Sequence, residues 1–342
     1  MSNRKSIIVS CILLGLFFFE SFKSTTSATL NTFKISGFAQ GTSYHITYYA
    51  EDSVVAKNQV DSLLDKIDSS LSVYKPYSLI SKFNRSKKGI EIDDYLRVVV
   101  HKSLEIFKNT GGVSDITVYP LVNSWGFGPE KVSKMPDAAT IRSMMPCIGA
   151  SKIHLRGKFL LKDISCLKID VNGIAQGYSV DLVANFLEEK GIQHYLVEIG
   201  GELKIKGRRQ PKGTMMQIGL EAPAPDFFDK PVVEKIIHLD HGAITTSGNY
   251  RKYTMVHGKF IAHLINPKTG YPFKNELISV TVWAKDAITA DGYDNALMGM
   301  GLNKSFSFLK QHKELEAYFI YRDKQGVVKD TATTGFYRLI NN

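Results

Sequence analysis

The stretch HYLVEIGGELKIKG, residues 194–207, sets the expectation for the fold. It contains two short strand patterns separated by Gly200 and Gly201, and a turn this short joins antiparallel neighbours. Further strand patterns with short turns lie upstream at 32–50 and downstream between 215 and 284. We therefore predict sheets whose pairing is mainly antiparallel.

Helical patterns lie between these strands. The sequence predicts helices over 54–71, 95–109, 175–190, 288–301 and 304–312, the first two from apolar residues at helical spacing. Short strands are predicted at 152–155, 159–161 and 167–170, and closing strands follow the last helix. Helices and hairpins mixed in this way indicate an α+β fold rather than a doubly wound parallel sheet. No repeat or low-complexity linker marks a boundary, so residues 29–342 are predicted to form a single domain.

The amino terminus has the layout of an export signal. Arg4 and Lys5 precede the apolar run IIVSCILLGLFFF, residues 7–19, and a polar segment follows it. The run is short for a membrane span. We expect residues 1–28 to be a signal peptide cleaved at Ala28, or an N-terminal anchor. This predicts an exported, periplasmic protein, with attachment to the inner membrane by an uncleaved signal or by a lipid on Cys11 as the alternatives.

Composition and charge exclude two classes of protein. With 342 residues, 44% of them hydrophobic, the chain can bury a large core and is not disordered. The formal charge of +10 raises the question of nucleic-acid binding. The lysines are scattered, however, and no arginine-rich stripe is present. We expect no nucleic-acid partner, and polyanionic small molecules or a membrane surface fit the basic charge better.

Three cysteines are present, and Cys11 lies in the expected signal segment. The mature chain then holds Cys147 and Cys166. An exported protein permits a disulfide between them, whereas two buried thiols are the alternative. The sequence gives no distance between the two residues, so both possibilities stay open.

The stretch ITADGYDNALMGMG, residues 288–301, carries unusual polar residues for an apolar helix. Residues three and four apart share a helical face, so Asp291, Asp294 and Asn295 form one patch. Two carboxylates this close repel each other unless a cation lies between them, and oxygen ligands suit Mg²⁺. A solvated helix end with an asparagine cap is the alternative. This segment alone does not decide between the two.

Three other stretches contain residues that could bind a ligand or take part in catalysis, but each is weak evidence when taken alone. Asp115 lies among apolar residues in SDITVYPLVNSWGFGP, and a buried acid needs a partner, which the backbone alone can supply. KIDVNGIAQGYSVD, residues 168–181, ends a strand, turns at glycine and opens a helix, a place where N–H groups can hold a phosphate. It has neither the GxGxxG pattern nor a Walker lysine. His263 is a candidate base or an ordinary histidine.

Together these stretches resemble the ApbE family of FAD:protein FMN transferases. The resemblance covers about Gly41 to Gly301 and depends on the order and spacing of several motifs. They are GTSYHITYY, SVYKPYSLISKFN, SDITVYPLVNSWGFGP, DVNGIAQGYSVD, VEIGGELKIKG, TTSGNYRKY, HLINPKTGYP and ADGYDNALMGMG.

The resemblance implies an ApbE-like fold, in which antiparallel sheets and flanking helices form two lobes around a cleft. It also implies an enzyme with FAD as substrate and Mg²⁺ as cofactor. Such an enzyme attaches FMN through its phosphate to a Thr or Ser hydroxyl of a target protein and releases AMP. The expected acceptor is a subunit of a membrane electron-transfer complex.

The resemblance also implies the site residues, matched motif by motif. Those expected to contact FAD are Gln40, Tyr74, Asp115, Ile116, Thr117, Asn172, Tyr178 and Ile265. Those expected to hold Mg²⁺ are the main-chain oxygen of Ala175 and the side chains of Asp291, Asp294 and Asn295. We add the hypothesis that His263 accepts the hydroxyl proton, because its unperturbed pKa near 6.5 suits neutral pH.

Three positions depart from the family pattern. Asn295 stands where Thr or Ser is usual, Gln176 replaces a frequent Lys, and Asn266 replaces an Asp.

Two alternative functions would use the same site. A Mg²⁺-dependent FAD pyrophosphatase would let water attack and give FMN and AMP, and a non-catalytic FAD-binding envelope protein would keep the tyrosines and lose the metal. Asp291 and Asp294 argue against the second.

Overall fold

The computed structural model describes residues 29–132, 134–222, 232–249, 253–256 and 259–341. The strands are β1 (Asn31–Ala39), β2 (Thr42–Ala50), β3 (Gly89–Glu91), β4 (Ile153–Arg156), β5 (Phe159–Lys162), β6 (His194–Ile199), β7 (Glu202–Lys206), β8 (Met216–Ala222), β9 (Val232–Leu239), β10 (His241–Gly248), β11 (Tyr253–Val256), β12 (Lys259–Ala262), β13 (Leu277–Ala284), β14 (Glu316–Arg322) and β15 (Val328–Ala332). The helices are α1 (Lys57–Leu71), α2 (Leu79–Arg85), α3 (Asp94–Asn109), α4 (Tyr119–Ser124), α5 (Ala138–Met144), α6 (Ala175–Glu189), α7 (Ala287–Met300), α8 (Leu302–Leu309) and α9 (Thr334–Asn341).

The main sheet has eight strands in the order β1-β2-β6-β7-β10-β13-β14-β15. Each neighbouring pair in it is antiparallel. Smaller antiparallel sheets are formed by β3, β4 and β5, by β8 with β9, and by β11 with β12. The predicted α+β fold with mainly antiparallel pairing is therefore confirmed.

An apolar core packs against each face of the main sheet, and alternate side chains of its strands point into one core or the other. Tyr44, Ile46 and Tyr48 of β2 lie in the largest core, together with apolar residues of α1, α3, α6 and α7. Tyr49 points the other way, into a second core built with β8, β9 and α9. The sheet thus fixes α6 and α7 side by side on one face.

A third and smaller core forms the second lobe. It contains Leu121 and Trp125 near α4, Ile141 of α5, Ile148 and Ile265. The Trp125 indole Nε1–H donates to the Gly270 carbonyl oxygen at 2.8 Å, which ties α4 to the 263–273 segment. The cleft lies where this lobe faces α6 and α7.

The five predicted helices are confirmed, with small shifts at their ends. The prediction of a strand at 167–170 was wrong. The Asn84 side chain accepts from the Ile169 N–H at 2.7 Å and donates to the Ile169 carbonyl oxygen at 2.9 Å. Both backbone groups of Ile169 are therefore occupied and do not pair with a neighbouring strand. The SVYKPYSLISKFN stretch, interpreted as a loop, contains α2, whose N-cap Ser78 accepts from the Ser81 N–H.

Cys147 and Cys166 form a disulfide with their Cα atoms 5.5 Å apart, which decides between the two open alternatives. The expected signal segment, residues 1–28, lies outside the described residues. Among the described helices, none has the length and apolar character needed to cross a bilayer.

Candidate functional site

Helix α7 brings the acidic residues to the centre of the molecule. Its N-cap Asp286 accepts from the Thr289 N–H, and small residues along the helix allow close packing on neighbouring elements. Asp291 and Asp294 are 4% and 1% exposed, so neither belongs to a solvated helix end. The alternative of an exposed, capped helix terminus is therefore excluded.

Asp294 lies in surroundings that favour a cation. Its Oδ1 is buried and makes no hydrogen bond within the described residues. Burial, followed by the charge of Asp291, holds the pKa of Asp294 well above its ordinary value. A buried carboxylate oxygen without a donor, beside a second carboxylate, is a ready ligand for a hard cation such as Mg²⁺.

The glycine turn at 171–175 lies directly against α7. The Gly177 N–H donates to Asp291 Oδ2 at 2.8 Å, and Asn295 Nδ2 donates to the Gly173 carbonyl oxygen at 3.2 Å. A Cβ at Gly177 would lie 2.3 Å from the Ala287 carbonyl oxygen, so only glycine permits this approach. We call residues 173–177 and 287–295 together the helix wall.

Asn295 also connects the helix wall to the main sheet. Its Oδ1 accepts from the Ser247 hydroxyl of β10 at 2.9 Å. An amide oxygen has two lone pairs, so this bond leaves one lone pair for another partner. The Ala175 carbonyl oxygen accepts from the Ser179 hydroxyl at 2.9 Å, and Gln40 Nε2 donates to that same hydroxyl at 2.8 Å.

The helix wall borders a cavity of about 360 Å³, within the range of small-molecule sites. Most of the candidate site residues, those implied by the resemblance together with the added His263, line it. They are Tyr74, Asp115, Ile116, Asn172, His263, Ile265, Asp291, Asp294 and Asn295. The remaining four, Gln40, Thr117, Ala175 and Tyr178, lie behind this lining or beside it.

A second part of the cavity lining is made of irregular backbone. We call it the loop wall: residues 115–117, the segment 147–150 behind them, and residues 166–172. Asp115 Oδ1 accepts from the N–H and hydroxyl of Thr117, and its Oδ2 accepts from the Ala150 N–H at 3.1 Å. Burial raises the pKa of Asp115, although these hydrogen bonds oppose the rise.

The loop wall is held by the protein itself. The buried Thr117 hydroxyl accepts from the Gly149 N–H at 2.7 Å, and the Cys147–Cys166 disulfide joins the segment 147–150 to residues 166–172. The Asp170 N–H donates to the Ile116 carbonyl oxygen at 2.7 Å, so 115–117 and 166–172 are directly joined. The backbone partner that the sequence suggested for Asp115 is confirmed.

The aromatic candidates occupy different environments. Tyr74 is 58% exposed at the cavity mouth, where its ring can stack on a planar ligand. Tyr178 belongs to the main core, where burial, with the acidic N-terminus of α3 nearby, raises its pKa to about 12. This position gives no support to ring stacking by Tyr178, and its role stays a prediction.

His263 follows β12 and lines the cavity, with its ring edge-on to Phe127 at a centroid distance of 6.3 Å. Gln176 also lines the cavity and donates to the Ile199 carbonyl oxygen at 3.0 Å, which fixes it to the turn before β7. Asn266 accepts from the Lys268 N–H at 2.9 Å, so this departure from the family pattern serves a turn.

Sequence reasoning missed several polar residues of the cavity as site residues, among them Asp170, Glu202 and Ser247. These three lie within motifs quoted for the resemblance. The alternation of β10 was a usable signal for Ser247, because residues 243, 245 and 247 point to one face.

The donor set suits a cation that keeps other ligands. Within the described residues no group of three or more His, Cys, Asp or Glu side chains is arranged to hold a metal ion. Mg²⁺ is usually bound by one or two carboxylates together with substrate phosphates and water, so two carboxylates and neutral oxygens fit it. The unpartnered Asp294 oxygen is the structural observation in favour of that fit.

Comparison with known proteins gives one answer. The model of the ApbE family matches residues 40–319. A protein of Vibrio cholerae named FAD:protein FMN transferase is 34% identical over 309 residues, covering 88% of this chain and 91% of that protein. The structure named flavin transferase ApbE from Vibrio cholerae has a TM-score of 0.81 at 32% identity, covering 91% of this chain and 99% of that one.

The apo structure of Pseudomonas stutzeri flavinyl transferase ApbE also has a TM-score of 0.81, at 33% identity. It covers 92% of this chain and 98% of that one. The family model spans most of the chain, and the two neighbours agree with it in both sequence and fold. The protein is a member of the ApbE family.

Proposed function

We propose that the protein is a Mg²⁺-dependent FAD:protein FMN transferase. The hydroxyl oxygen of an acceptor Thr or Ser forms a bond to the FMN phosphorus, the pyrophosphate P–O bond breaks, and AMP leaves while the hydroxyl proton goes to a base. The observation that carries the proposal is the meeting of Asp291, Asp294 and the glycine turn in one cavity. The names of the relatives agree with it.

The residues that would hold Mg²⁺ are Asp291, Asp294, Asn295 and the main-chain oxygen of Ala175. When bound, the metal neutralises charge on the phosphates, which is the main requirement of phosphoryl transfer. Asp294 already has a buried oxygen that no group of the described residues satisfies. The Asn295 oxygen keeps a lone pair beside its bond to Ser247.

The rest of the helix wall would orient the diphosphate. Helix α6 begins at Ala175, so the positive end of its dipole faces the same corner as the carboxylates. Tyr74 at the mouth offers a ring face, and Asp115, with both oxygens occupied, holds the backbone of 115–117 in shape. These residues fix the reacting phosphorus in place, and positioning supplies a large share of such catalysis.

His263 would take the proton of the attacking hydroxyl at a ring nitrogen. It lines the cavity, and imidazole changes its protonation near neutral pH. We also propose that residues 1–28 export the chain, that residues 29–342 form one catalytic domain, and that the acceptor is a subunit of a membrane electron-transfer complex.

The experiment uses the purified mature protein with FAD, Mg²⁺ and a candidate acceptor, a threonine-bearing subunit of such a complex. Fluorescent flavin that stays on the acceptor in a denaturing gel supports transfer. Free FMN alone supports hydrolysis, and unchanged FAD supports a binding protein. Replacing His263→Asn should abolish the covalent label and leave FAD binding intact, whereas a fully active variant would refute the assigned base.

A further inference from the structure

Helices α6 and α7 meet through two polar contacts spaced one turn apart on α6. The first is the Gly177 N–H to Asp291 contact described above. The second is Asp181, four residues later and therefore on the same face of α6. Its Oδ1 accepts from the Ala287 N–H at 2.9 Å and its Oδ2 accepts from the Ile288 N–H at 2.8 Å.

These two N–H groups open the first turn of α7, where helical amides lack partners within the helix. Asp286, the N-cap, accepts from the Thr289 N–H instead. Each carboxylate oxygen of Asp181 thus satisfies a different amide of a helix to which Asp181 does not belong. Such a two-point contact fixes both the position and the rotation of the start of α7.

Asp181 is also tied to the main sheet. Lys204 of β7 lies 3.1 Å from its Oδ1, and the same ammonium donates to the Lys285 carbonyl oxygen at 2.7 Å, two residues before α7. Asp181 is 8% exposed. A buried ion pair adds little net stability, because desolvation of the two charges offsets their attraction. Its main effect here is to hold Asp181 in a fixed position relative to α7.

The geometry leads from this contact to the candidate cation site. Ala287, Asp291 and Asp294 are spaced four and three residues apart, so all three share one face of α7. Ile288 and Asp294 are separated by roughly 9 Å along the axis at 1.5 Å per residue. A shift of the first turn therefore moves both carboxylates against the glycine turn.

We propose that Asp181 is a positioning residue for the cation site, holding the first turn of α7 so that Asp291 and Asp294 face residues 173–175. This inference rests on the proposed function only in its use of that cation site. Asp181 itself lies outside the residues that line the cavity.

The test measures binding of Mn²⁺, used as a probe for Mg²⁺, by the loss of its free electron paramagnetic resonance signal. Asp181→Asn cannot accept from both amides, and we expect its Mn²⁺ dissociation constant to rise at least tenfold. Asp181→Glu keeps the charge and moves it by one methylene, and we expect a rise of at least threefold. If Asp181→Asn does not fold, Asp181→Glu alone tests the proposal.

Glu188→Gln is the matched control. Glu188 also lies on α6 and pairs with Lys206 of β7 at 2.7 Å, and it accepts a second hydrogen bond from Tyr195 of β6, so these bonds go to the sheet and not to α7. We expect its Mn²⁺ affinity to stay within twofold of the wild type. The Mg²⁺ concentration for half-maximal transfer should rise in Asp181→Glu, while the rate at saturating Mg²⁺ recovers.

Wild-type Mn²⁺ affinity in both Asp181 variants would overturn the proposal, whatever their thermal stability. So would a wild-type protein that transfers flavin but binds no Mn²⁺, since no cation site would exist to be positioned. A wild type that binds Mn²⁺, loses this binding in Asp181→Glu, and forms no covalent flavin would support the positioning role and refute the proposed reaction.

Discussion

The two walls of the cavity each contain a buried acid whose pKa burial raises, yet the two acids are used in opposite ways. In the loop wall, both oxygens of Asp115 accept hydrogen bonds from Thr117 and Ala150. In the helix wall, Asp294 has a buried oxygen that no described protein group satisfies. Burial alone therefore does not identify a functional carboxylate. What distinguishes these two acids is whether described protein groups satisfy both of their oxygens.

The largest expected effect follows from removing the charge of the helix wall. Asp294→Asn should lower flavin transfer by roughly 100-fold or more, about 2.7 kcal/mol of transition-state stabilisation, because a proposed ligand of the cation is lost. In EDTA the same variant should melt at a higher temperature than the wild type. The raised pKa means that the folded state disfavours the charged carboxylate, and the neutral amide removes that penalty.

Asp115→Asn is the matched change in the loop wall, and its melting temperature in EDTA should shift in the opposite direction. An amide has only one acceptor atom, so one of the N–H groups held by Asp115 loses its partner, at a cost of about 1–3 kcal/mol. Thermal unfolding of both variants with and without Mg²⁺ checks the comparison. Destabilisation of Asp294→Asn in EDTA would contradict a functional role for its unpartnered oxygen.

The second prediction concerns how the helix wall is assembled. In Gly177→Ala the new methyl would lie 2.3 Å from the Ala287 carbonyl oxygen and 2.7 Å from the Asp291 Cβ, so α7 must move. We expect a loss of about 1–3 kcal/mol in unfolding free energy and a tenfold or greater loss of transfer. Urea unfolding and the gel assay measure the two effects.

Gly219→Ala is the control for that substitution. Gly219 lies in β8, away from the cavity, and its added methyl would meet the exposed Val233 side chain at 3.1 Å, which can turn aside. Transfer by this variant should remain near the wild-type rate. Equal losses in both variants would show that the α6–α7 contact has no special importance.

The third prediction concerns the disulfide of the loop wall, whose removal should affect the two walls differently. Cys147→Ser with Cys166→Ser removes a disulfide of sequence separation 19, which should cost roughly 3 kcal/mol of unfolding free energy. FAD affinity should fall about threefold to tenfold, because the segment that holds Thr117 and Asp115 loosens. Mn²⁺ affinity should stay within twofold, since Asp291, Asp294 and Asn295 all lie on α7, outside the segments that the disulfide joins.

Reduction of the wild-type protein should reproduce these values, and reductant should leave the double variant unchanged. Fluorescence titration of FAD and the Mn²⁺ signal measure the two affinities side by side. If FAD affinity is the same with and without the disulfide, the hydrogen bonds of the loop wall hold it without the cross-link.

The helix wall was largely predictable from the sequence and the loop wall was not. Asp291, Asp294 and Asn295 lie within one helix, and helical spacing places them on a common face whatever surrounds them. In the loop wall, one partner of the Asp115 carboxylate lies 35 residues away at Ala150, and the Asn84 side chain that bonds to the Ile169 backbone lies 85 residues away. Side-chain bonds between distant backbone segments have no periodic signal. For this reason the sequence led to a wrong prediction of a strand at 167–170 and could not decide whether Cys147 and Cys166 form a disulfide.

The smallest expected effect lies at a lysine that holds the loop wall from behind. Lys162 is 6% exposed, and its Nζ donates to the carbonyl oxygens of Leu167 at 2.7 Å and Phe83 at 3.2 Å. Burial, and then the charge of Lys168, lowers its pKa from 10.5 to about 8. Because it lies outside the cavity lining, we expect Lys162→Met to change flavin transfer by no more than about twofold, or about 0.4 kcal/mol.

Its effect should appear instead in the pH dependence of stability. Between pH values of about 8 and 10.5 the unfolded chain keeps the Lys162 proton and the folded chain releases it, so the unfolding free energy rises with pH. The wild type should therefore gain stability relative to Lys162→Met as the pH is raised across this window, as urea unfolding at several pH values would measure. Lys190→Met, at an exposed position, should follow the wild type in parallel. A parallel profile for Lys162→Met as well would mean that Lys162 is hydrated in the folded protein and does not hold the loop wall.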